Sequence, residues 1–244
     1  MTRASRSNPL RQRATGGFSI IELLISMLIL VTVTGAIFAQ INQMQKKSAS
    51  EAMKLDMGQE AREFVDQTVR DLHMAGYPNL AMYAPPVNDV TKVAAGLVSV
   101  SPTSILMEGD VNNDGNVYSV NIYYVPADVN DPNCPCVRRS AVIKVATGSL
   151  SQPIASSYTE AQNVVPPGTG PGQSGEDLFA FYDQNGNPVT GVGTGVDIST
   201  PTGQATIDSI STIKINLTIL SNLRDPASGG PMGTSLSGTA KVGH

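Results

Sequence analysis

The sequence predicts an α+β fold in which a long N-terminal α-helix, whose first half is transmembrane, packs on an antiparallel β-sheet head. Three observations predict this fold. An unbroken apolar run occupies residues 18–39, helical patterning continues without proline as far as Pro78, and the remaining chain alternates β-rich segments with turn residues. A chain that changes from helical to strand patterning in this way is typical of α+β proteins.

The first elements are a basic leader, residues 1–17, and an apolar helix, residues 18–39. The leader contains four arginines and no acidic residue, and the helix reads FSIIELLISMLILVTVTGAIFA. At 1.5 Å per residue this run is about 33 Å long, which is enough to cross a hydrocarbon core of about 30 Å. By the positive-inside rule the leader stays in the cytoplasm, so we expect the chain after the helix to be exported.

The junction between leader and helix differs from that of an ordinary secretory signal. No A-x-A cleavage site follows Ala39, whereas Gly16-Gly17 precedes the helix, where a backbone without side chains suits a protease at the membrane face. Glu22 interrupts the apolar run at a cost of about 2.5 to 3.5 kcal/mol on insertion scales, and it therefore needs a partner. A new α-amino group at Phe18 would be that partner.

The segment Gly17-Phe18-Ser19-Ile20-Ile21-Glu22 resembles the class III, type IV prepilin signal, in which a Gly precedes Phe and a Glu is fifth in the mature chain. The resemblance implies that a prepilin peptidase cleaves between Gly17 and Phe18 and then N-methylates Phe18. It also implies that Glu22 pairs with the methylated amine of a neighbouring subunit during assembly. The alternative, a plain signal anchor with a stray acid, leaves the carboxylate uncompensated in lipid.

The long helix is predicted to continue to residue 77. Six residues recur along it at steps of three or four: Met53, Met57, Ala61, Phe64, Thr68 and Leu72. They form one stripe for packing on the head. Gly76 and the following Tyr77-Pro78 provide the stop.

Two stretches near the end of this helix carry a further resemblance. Residues 61–64, AREF, and 70–77, RDLHMAGY, resemble the helix end of PilW-type minor pilins, whose pattern is A-R-x-A/F followed by R-D-L/I-R-x-A-G-Y. This resemblance implies the type IV pilin-like form of the α+β fold. His73 stands where the pattern often has a basic residue, and a His at the end of a helix is favourable to the helix dipole.

Residues 78–244 form the predicted periplasmic, β-rich head. Strands are predicted at 96–100, 104–107, 117–125, 140–146, 178–182 and 211–220, the last with alternating apolar and polar residues. Asn185-Gly186 predicts a hairpin turn. Residues 166–175 are predicted to be a flexible loop, and the Gly-rich tail, 228–244, to be poorly ordered.

The head contains one candidate metal site. Asp110, Asn112 and Asp114, followed by Gly115, have the spacing that begins an EF-hand-like calcium loop. The twelfth position is Asn121 in place of the bidentate Glu, so the second half of such a loop does not fit. The alternative is a tight polar turn that enters the next strand.

The two cysteines, Cys134 and Cys136, are separated by one proline. In an exported, oxidising compartment a disulfide is expected, either between these two residues or between molecules, and two free thiols are the remaining alternative. The pair alone is not a zinc site, because two further ligands are not apparent nearby. The adjacent pair Arg138-Arg139 is predicted to be solvated surface.

Composition argues against catalysis. His73 and His244 are the only histidines, which leaves little material for a Ser-His-Asp or Cys-His machine or a His-rich metal centre. From residue 79 onward the chain has seven basic and 13 acidic residues, a net charge of −6, which gives no electrostatic surface for nucleic acid. We therefore expect no enzyme activity, no nucleic-acid partner and no required cofactor, with calcium as the one candidate ligand.

The resemblance implies a minor pilin of a type IV pilus, a fibre used in cell adhesion and motility. Its expected location is the bacterial inner membrane, with the N-terminus cytoplasmic and the head periplasmic, and then the pilus fibre or tip at the cell surface. The implied partners are the prepilin peptidase, other major and minor pilins and the inner-membrane assembly platform. Cleavage removes four arginines, so the mature chain carries 12 basic and 20 acidic residues, a net charge of −8.

Two alternatives stay open at this point. A pseudopilin of a type II secretion system uses the same signal and the same helix-plus-sheet plan. A membrane-anchored periplasmic binding protein or enzyme would require a ligand pocket or a catalytic constellation, and the sequence contains no recognisable example of either.

Overall fold

The structure is a computed structural model that describes residues 17–83, 90–129, 131–145, 157–166, 176–226 and 229–242. The chain divides into two compact units, Met1–Ser48 and Ala49–His244. One helix, α1 (Ile20–Met74), begins in the first unit and ends in the second. A long apolar N-terminal helix packed on an antiparallel sheet confirms the predicted α+β fold. The predicted leader, 1–17, lies outside the described residues except for Gly17.

Helix α1 begins and ends close to its predicted limits, 18–77. The Ser19 carbonyl oxygen accepts hydrogen bonds from the backbone amides of Glu22 and Leu23, at 3.0 and 3.2 Å, and so closes the first turn. At the other end Gly76 has a φ of 82°, the left-handed conformation typical of helix ends. Its amide donates to the Glu108 carbonyl oxygen at 2.9 Å, which ties the helix end to the head.

The second half of α1 buries the predicted stripe. The buried residues of the helix are Ser50, Met57, Ala61, Phe64, Val65, Thr68, Asp71 and Leu72. All of them belong to the second unit, and most are separated by steps of three or four, so one face of the helix packs on the sheets. The stripe predicted from the sequence is confirmed, and it also contains an aspartate, Asp71.

The head is built from nine strands and one further α-helix in the described part of the chain. The strands are β1 (Gly96–Ser101), β2 (Ser104–Gly109), β3 (Tyr118–Val125), β4 (Cys136–Ile143), β5 (Tyr158–Gln162), β6 (Phe179–Tyr182), β7 (Val196–Asp197), β8 (Thr212–Arg224) and β9 (Pro231–Lys241). Helix α2 (Pro201–Asp208) lies between β7 and β8, and short 3-10 turns cover Leu80–Met82 and Val90–Lys92. Thr200 caps α2, because its Oγ1 accepts the Gly203 amide at 3.1 Å.

The strands form two antiparallel sheets. The larger has the order β5-β4-β3-β2-β1-β7, and the smaller has the order β6-β8-β9. The chain after β5 joins them, because the Val165 amide donates to the Thr218 carbonyl oxygen at 2.8 Å and the Leu220 amide donates to the Asn163 carbonyl oxygen at 2.9 Å. The second half of α1 therefore packs on a nearly continuous surface.

The core lies between α1 and these sheets. Its fully buried large side chains are Phe64 and Leu72 from α1, Val100, Ile105, Met107 and Ile122 from the larger sheet, Phe179, Ile213, Ile215, Leu217 and Ile219 from the smaller sheet, and Ile210. The alternation predicted along β8 is confirmed. Gly238 of β9 allows close packing, because a Cβ there would lie 2.4 Å from Val65 Cγ1.

Five of the six predicted strands and the hairpin are confirmed, but other predictions for the head differ from the structure. The strand predicted at 140–146 is β4, which begins four residues earlier at Cys136. The prediction that the tail, 228–244, is poorly ordered is wrong. Its residues from Pro231 to Lys241 pair with β8 over almost their whole length. Of the predicted loop, 166–175, only Pro166 lies within the described residues.

Candidate functional site

The segment that carries the predicted processing signal is exposed. Gly17 and Phe18 precede α1 in a region without regular structure, and the Phe18 side chain is 78% exposed. Glu22 lies in the first turn of α1, one helical turn from Phe18, where the N-terminal end of the helix dipole favours a carboxylate. We call residues 17–22 the assembly segment.

An apolar surface follows the assembly segment along α1. Every residue from 17 to 49 is exposed, and the large apolar side chains from Phe18 to Phe38 are between 51% and 82% exposed. In the described part of the chain α1 is the one helix long and apolar enough to span a membrane. Two of its hydroxyls are satisfied locally, because Ser26 donates to the Glu22 carbonyl oxygen at 2.7 Å and Thr32 to the Leu28 carbonyl oxygen at 3.0 Å. Such a surface suits lipid or neighbouring apolar helices.

A buried ion pair joins α1 to the head. Arg139 Nε of β4 donates to Asp71 Oδ2 of α1 at 2.7 Å, and Gln67 Nε2 donates to Asp71 Oδ1 at 2.8 Å. Asp71 is 1% exposed and Arg139 is 7% exposed. Arg139 Nη1 also donates to the Tyr158 hydroxyl of β5. The prediction that Arg139 is solvated surface is wrong, because β4 turns this residue toward α1.

The environment of the pair shifts the pKa of both partners. Burial raises the pKa of Asp71 above its usual value. The charge of Arg139 and the hydrogen bonds from Arg139 and Gln67 lower this pKa, but by less than burial raises it. Burial disfavours the charged form of Arg139, but the charge of Asp71, the hydrogen bond to it and the interactions with Tyr158 together outweigh burial and raise the pKa of Arg139. The guanidinium is therefore protonated at neutral pH.

A polar cavity of about 570 Å³ opens over this ion pair. Its lining residues come from α1, the Asp110 turn, β4 and β5: Glu63, Asp66, Gln67, Arg70, Asn112, Arg139, Tyr158 and Glu160. Burial raises the pKa of Glu160, the charge of Arg139 and a hydrogen bond from Tyr158 lower it, and the charges of Asp71 and Glu63 add to the rise. We call this cavity the helix–strand cleft.

Sequence reasoning missed the residues of the cleft for two different reasons. Asp71 carries a signal, since it falls within the buried stripe of α1, where a carboxylate requires a partner. Tyr158 and Glu160 carry no such signal, because β5 is only five residues long and has no clear strand pattern. The described hydrogen bonds around the cleft hold α1 against β4 and β5.

The Asp110 loop forms a tight polar turn. Asp110 is buried, and its two carboxylate oxygens accept the backbone amides of Asp114 and Gly115 at 3.0 and 2.9 Å. Asp114 accepts the Asn116 amide at 2.9 Å and the Tyr118 hydroxyl at 2.7 Å. These hydrogen bonds are typical of a tight polar turn, which is the alternative to a calcium loop.

The other two residues of the predicted calcium loop take different positions. Asn112 lines the helix–strand cleft, and Asn121, the twelfth position, lies inside β3, where it is paired with Leu106 and Ser140. Calcium binding by Asp110, Asn112 and Asp114 stays a prediction. Hydrogen bonding to Tyr118 and to the Asn116 amide lowers the pKa of Asp114, so this carboxylate is ionised at neutral pH.

Cys134 and Cys136 are joined to each other by a disulfide. Cys136 begins β4 and is fully buried, whereas Cys134 is 9% exposed in the loop before it. The loop is braced by Arg138, which forms an ion pair with Asp131. The structure thus brings a carboxylate to the cysteine pair that sequence spacing alone does not identify.

Comparison of the chain with known proteins gives no further indication of its family. No family model, no curated protein and no solved structure matches it.

Proposed function

We propose that this chain is a minor pilin of a type IV pilus, a membrane-held subunit that assembles into or primes the pilus fibre by helix packing. One observation carries the proposal: an exposed Gly17-Phe18 junction directly precedes a helix whose first turn holds Glu22 and whose following surface is apolar on all sides. A soluble helix buries an apolar face against its own protein, whereas this surface requires lipid before assembly and other helices afterwards.

In this proposal cleavage after Gly17 converts the assembly segment into a charged pair. The new amine at Phe18 is positive and Glu22 is negative, and both lie at the same end of the helix. Pairing of Glu22 with the amine of a neighbouring subunit removes the cost of an isolated carboxylate in an apolar medium. Because burying two charges offsets much of their attraction, the pair acts mainly on the register between helices.

Proposed partners follow from the same surface. The prepilin peptidase processes the junction, the inner-membrane assembly platform holds the apolar helix, and other major and minor pilins cover that helix in the fibre. The head then lies in the periplasm before assembly and at the cell surface afterwards. No catalytic role is proposed for it.

Mass spectrometry of the mature N-terminus tests this function. The full chain is co-expressed with a prepilin peptidase, and the expected product begins at an N-methylated Phe18. Gly17→Val should block cleavage, whereas the matched control Gly16→Ala should be processed normally, because the signal places the cleaved bond after Gly17. A wild-type chain that keeps Met1 in membranes that contain active peptidase contradicts the proposal.

Incorporation into fibres tests the role of Glu22 separately. Glu22→Ala should be cleaved as efficiently as the wild type but should be depleted from sheared surface fibres. Ser26→Ala, one turn further along α1, is the matched control and should be incorporated normally. Equal incorporation of Glu22→Ala and wild type would falsify the pairing role.

A deletion strain distinguishes a minor pilin from a pseudopilin of a type II secretion system. Loss of a minor pilin should reduce surface fibres and leave secretion of exported enzymes unchanged. Loss of a pseudopilin should give the reverse result. A deletion that affects neither, with an unprocessed N-terminus, would favour the membrane-anchored binding protein or enzyme.

A further inference from the structure

Three metal-ligating side chains meet at the disulfide loop, away from the assembly segment and the helix–strand cleft. One carboxylate oxygen of Asp131 and the Sγ atoms of Cys134 and Cys136 all lie within 4.8 Å of one another. Cys134 Sγ is 3.5 Å from Asp131 Oδ2. The sequence provides two ligands at this point, and the fold of the loop provides a third.

Local hydrogen bonds hold the third ligand in place. The Asp131 amide donates to the Asp128 carbonyl oxygen at 3.2 Å, and the Cys134 amide donates to the Asp131 carbonyl oxygen at 3.1 Å. Asp131 Oδ1 accepts the Asn133 amide at 3.1 Å, so Oδ2 is the oxygen that faces Cys134. The Asp131 carboxylate is therefore positioned by the backbone and not by the sulfur atoms.

The cysteine side of the cluster is equally well fixed. Cys136 is paired with Val125 of β3 on one side and with Gln162 of β5 on the other. Two thiolates and one carboxylate, held on a strand and a tight turn, match the donor set of thiophilic divalent ions such as Zn²⁺. A fourth position remains for water.

We propose that reduction of the Cys134–Cys136 disulfide creates a binding site for a thiophilic divalent cation, with Asp131, Cys134 and Cys136 as its ligands. Charge balance selects a divalent ion. In the disulfide form the charges of Asp131 and Arg138 cancel, because the two residues form an ion pair. Two thiolates add two negative charges, which a divalent ion cancels and a monovalent ion leaves partly uncompensated. The proposal does not depend on the function proposed above.

The exchange consists of two balanced steps. A dithiol reductant transfers two electrons and two protons to the disulfide, becomes a cyclic disulfide itself and leaves two cysteine thiols. The metal then displaces both thiol protons to solvent. Arg138 favours this second step because a neighbouring cation stabilises thiolates.

The cluster is approached from its Asp131 side. The Asp131 side chain is 18% exposed, whereas Cys134 is 9% exposed and Cys136 is fully buried. Arg138 Nε is buried and has no hydrogen-bond partner among the described residues, so the guanidinium can change partners when a metal displaces it from Asp131. Entry of the ion therefore needs movement of Arg138 away from Asp131.

Cadmium titration of the reduced full chain tests the site. The chain is reduced with a dithiol in detergent micelles, freed of reductant without oxygen and titrated with Cd²⁺, with the thiolate-to-metal charge-transfer absorption as the readout. We expect a band that saturates at one ion per chain, is reversed by excess Zn²⁺ and is absent from the unreduced chain. Absence of the band in the reduced chain overturns the proposal.

Variants separate the three-ligand site from non-specific thiol binding. Cys134→Ser should abolish the band, and Asp131→Asn should keep both thiols but weaken Cd²⁺ binding by at least about tenfold, since even outer-shell partners are worth that much. Asp128→Asn, in the same turn, is the matched control and should bind as the wild type does. Equal affinity of Asp131→Asn and wild type refutes the assignment of Asp131, and with it the proposed site.

Discussion

Removal of Arg139 is predicted to destabilise the head strongly. Arg139→Ala leaves Asp71 without its ion-pair partner at a position that is 1% exposed. Breaking a buried pair by removing one partner costs about 3 to 5 kcal/mol, because the remaining charge is buried without compensation. For a chain of this size each kcal/mol lowers Tm by about 2 to 4 °C, so we expect a fall of about 6 to 20 °C.

Thermal unfolding of the full chain in detergent micelles, followed by far-ultraviolet circular dichroism, measures this effect. Lys214→Ala is the control, since Lys214 forms a more exposed pair with Glu176 at 3.6 Å. Such pairs are worth about 0 to 1 kcal/mol, so its Tm should stay close to that of the wild type.

Two further measurements follow from the same ion pair. The double variant Asp71→Leu with Arg139→Met should recover most of the lost stability, because no buried charge is then left unpaired. The defect of Arg139→Ala should also shrink at low pH, because burial raises the pKa of Asp71 and the protonated carboxyl no longer needs a partner. A fall in Tm no larger than that of Lys214→Ala would refute the reasoning, as would a double variant as unstable as Arg139→Ala.

Three other predictions concern single positions in the head. Gly109→Ala places a Cβ 2.2 Å from the Met74 carbonyl oxygen and should destabilise by about 1 to 3 kcal/mol in urea unfolding, whereas Gly193→Ala, with no atom within 4 Å, should not. Burial raises the pKa of Glu160, so its contribution to stability is lost as pH rises through that pKa; Glu160→Gln should flatten this part of the pH–stability curve. If the Asp110 loop binds calcium, Tm should rise at millimolar calcium; an unchanged Tm would refute calcium binding there.

The local sequence pattern is sufficient to predict the long helix and the strands that face the core. The buried stripe of α1 follows from helical spacing, and the alternation of Ile213, Ile215 and Leu217 follows from the two-residue repeat of a strand. In both elements the residues that identify the structure are also the residues that the core buries. Tertiary packing therefore agrees with the local signal.

Strand β9 could not be predicted because its own side chains give little information. Its residues are mainly Gly, Ser and Thr, which are common in turns, and its regular structure comes from backbone pairing with β8 from Thr212↔Lys241 to Ile219↔Thr234. Gly238, which suggests disorder when viewed locally, is required there because Val65 of α1 occupies the space of a side chain. The same residue type thus has opposite meanings in the sequence and in the packed head.

The ion pair between Asp71 and Arg139 could not be predicted from the sequence for a related reason. Arg139 stands next to Arg138 in the sequence, and two adjacent arginines suggest a solvated surface. Successive residues of a strand point to opposite sides, so Arg138 reaches Asp131 in the disulfide loop while Arg139 reaches Asp71, 68 residues earlier. The buried stripe indicates that Asp71 needs a partner, but the partner cannot be identified as Arg139 until the strand and its neighbours are placed.

The assembly segment is different, because its proposed chemistry is local. Cleavage requires a small residue and an accessible bond at Gly17-Phe18, and pairing requires a carboxylate at a fixed number of residues from the new amine. Neither requirement depends on how the head folds, so the proposed signal can be stated from the sequence although no known family, protein or structure matches the chain. In the proposed function residues 17–22 direct assembly through local chemistry, and the fold of the head adds nothing to that signal.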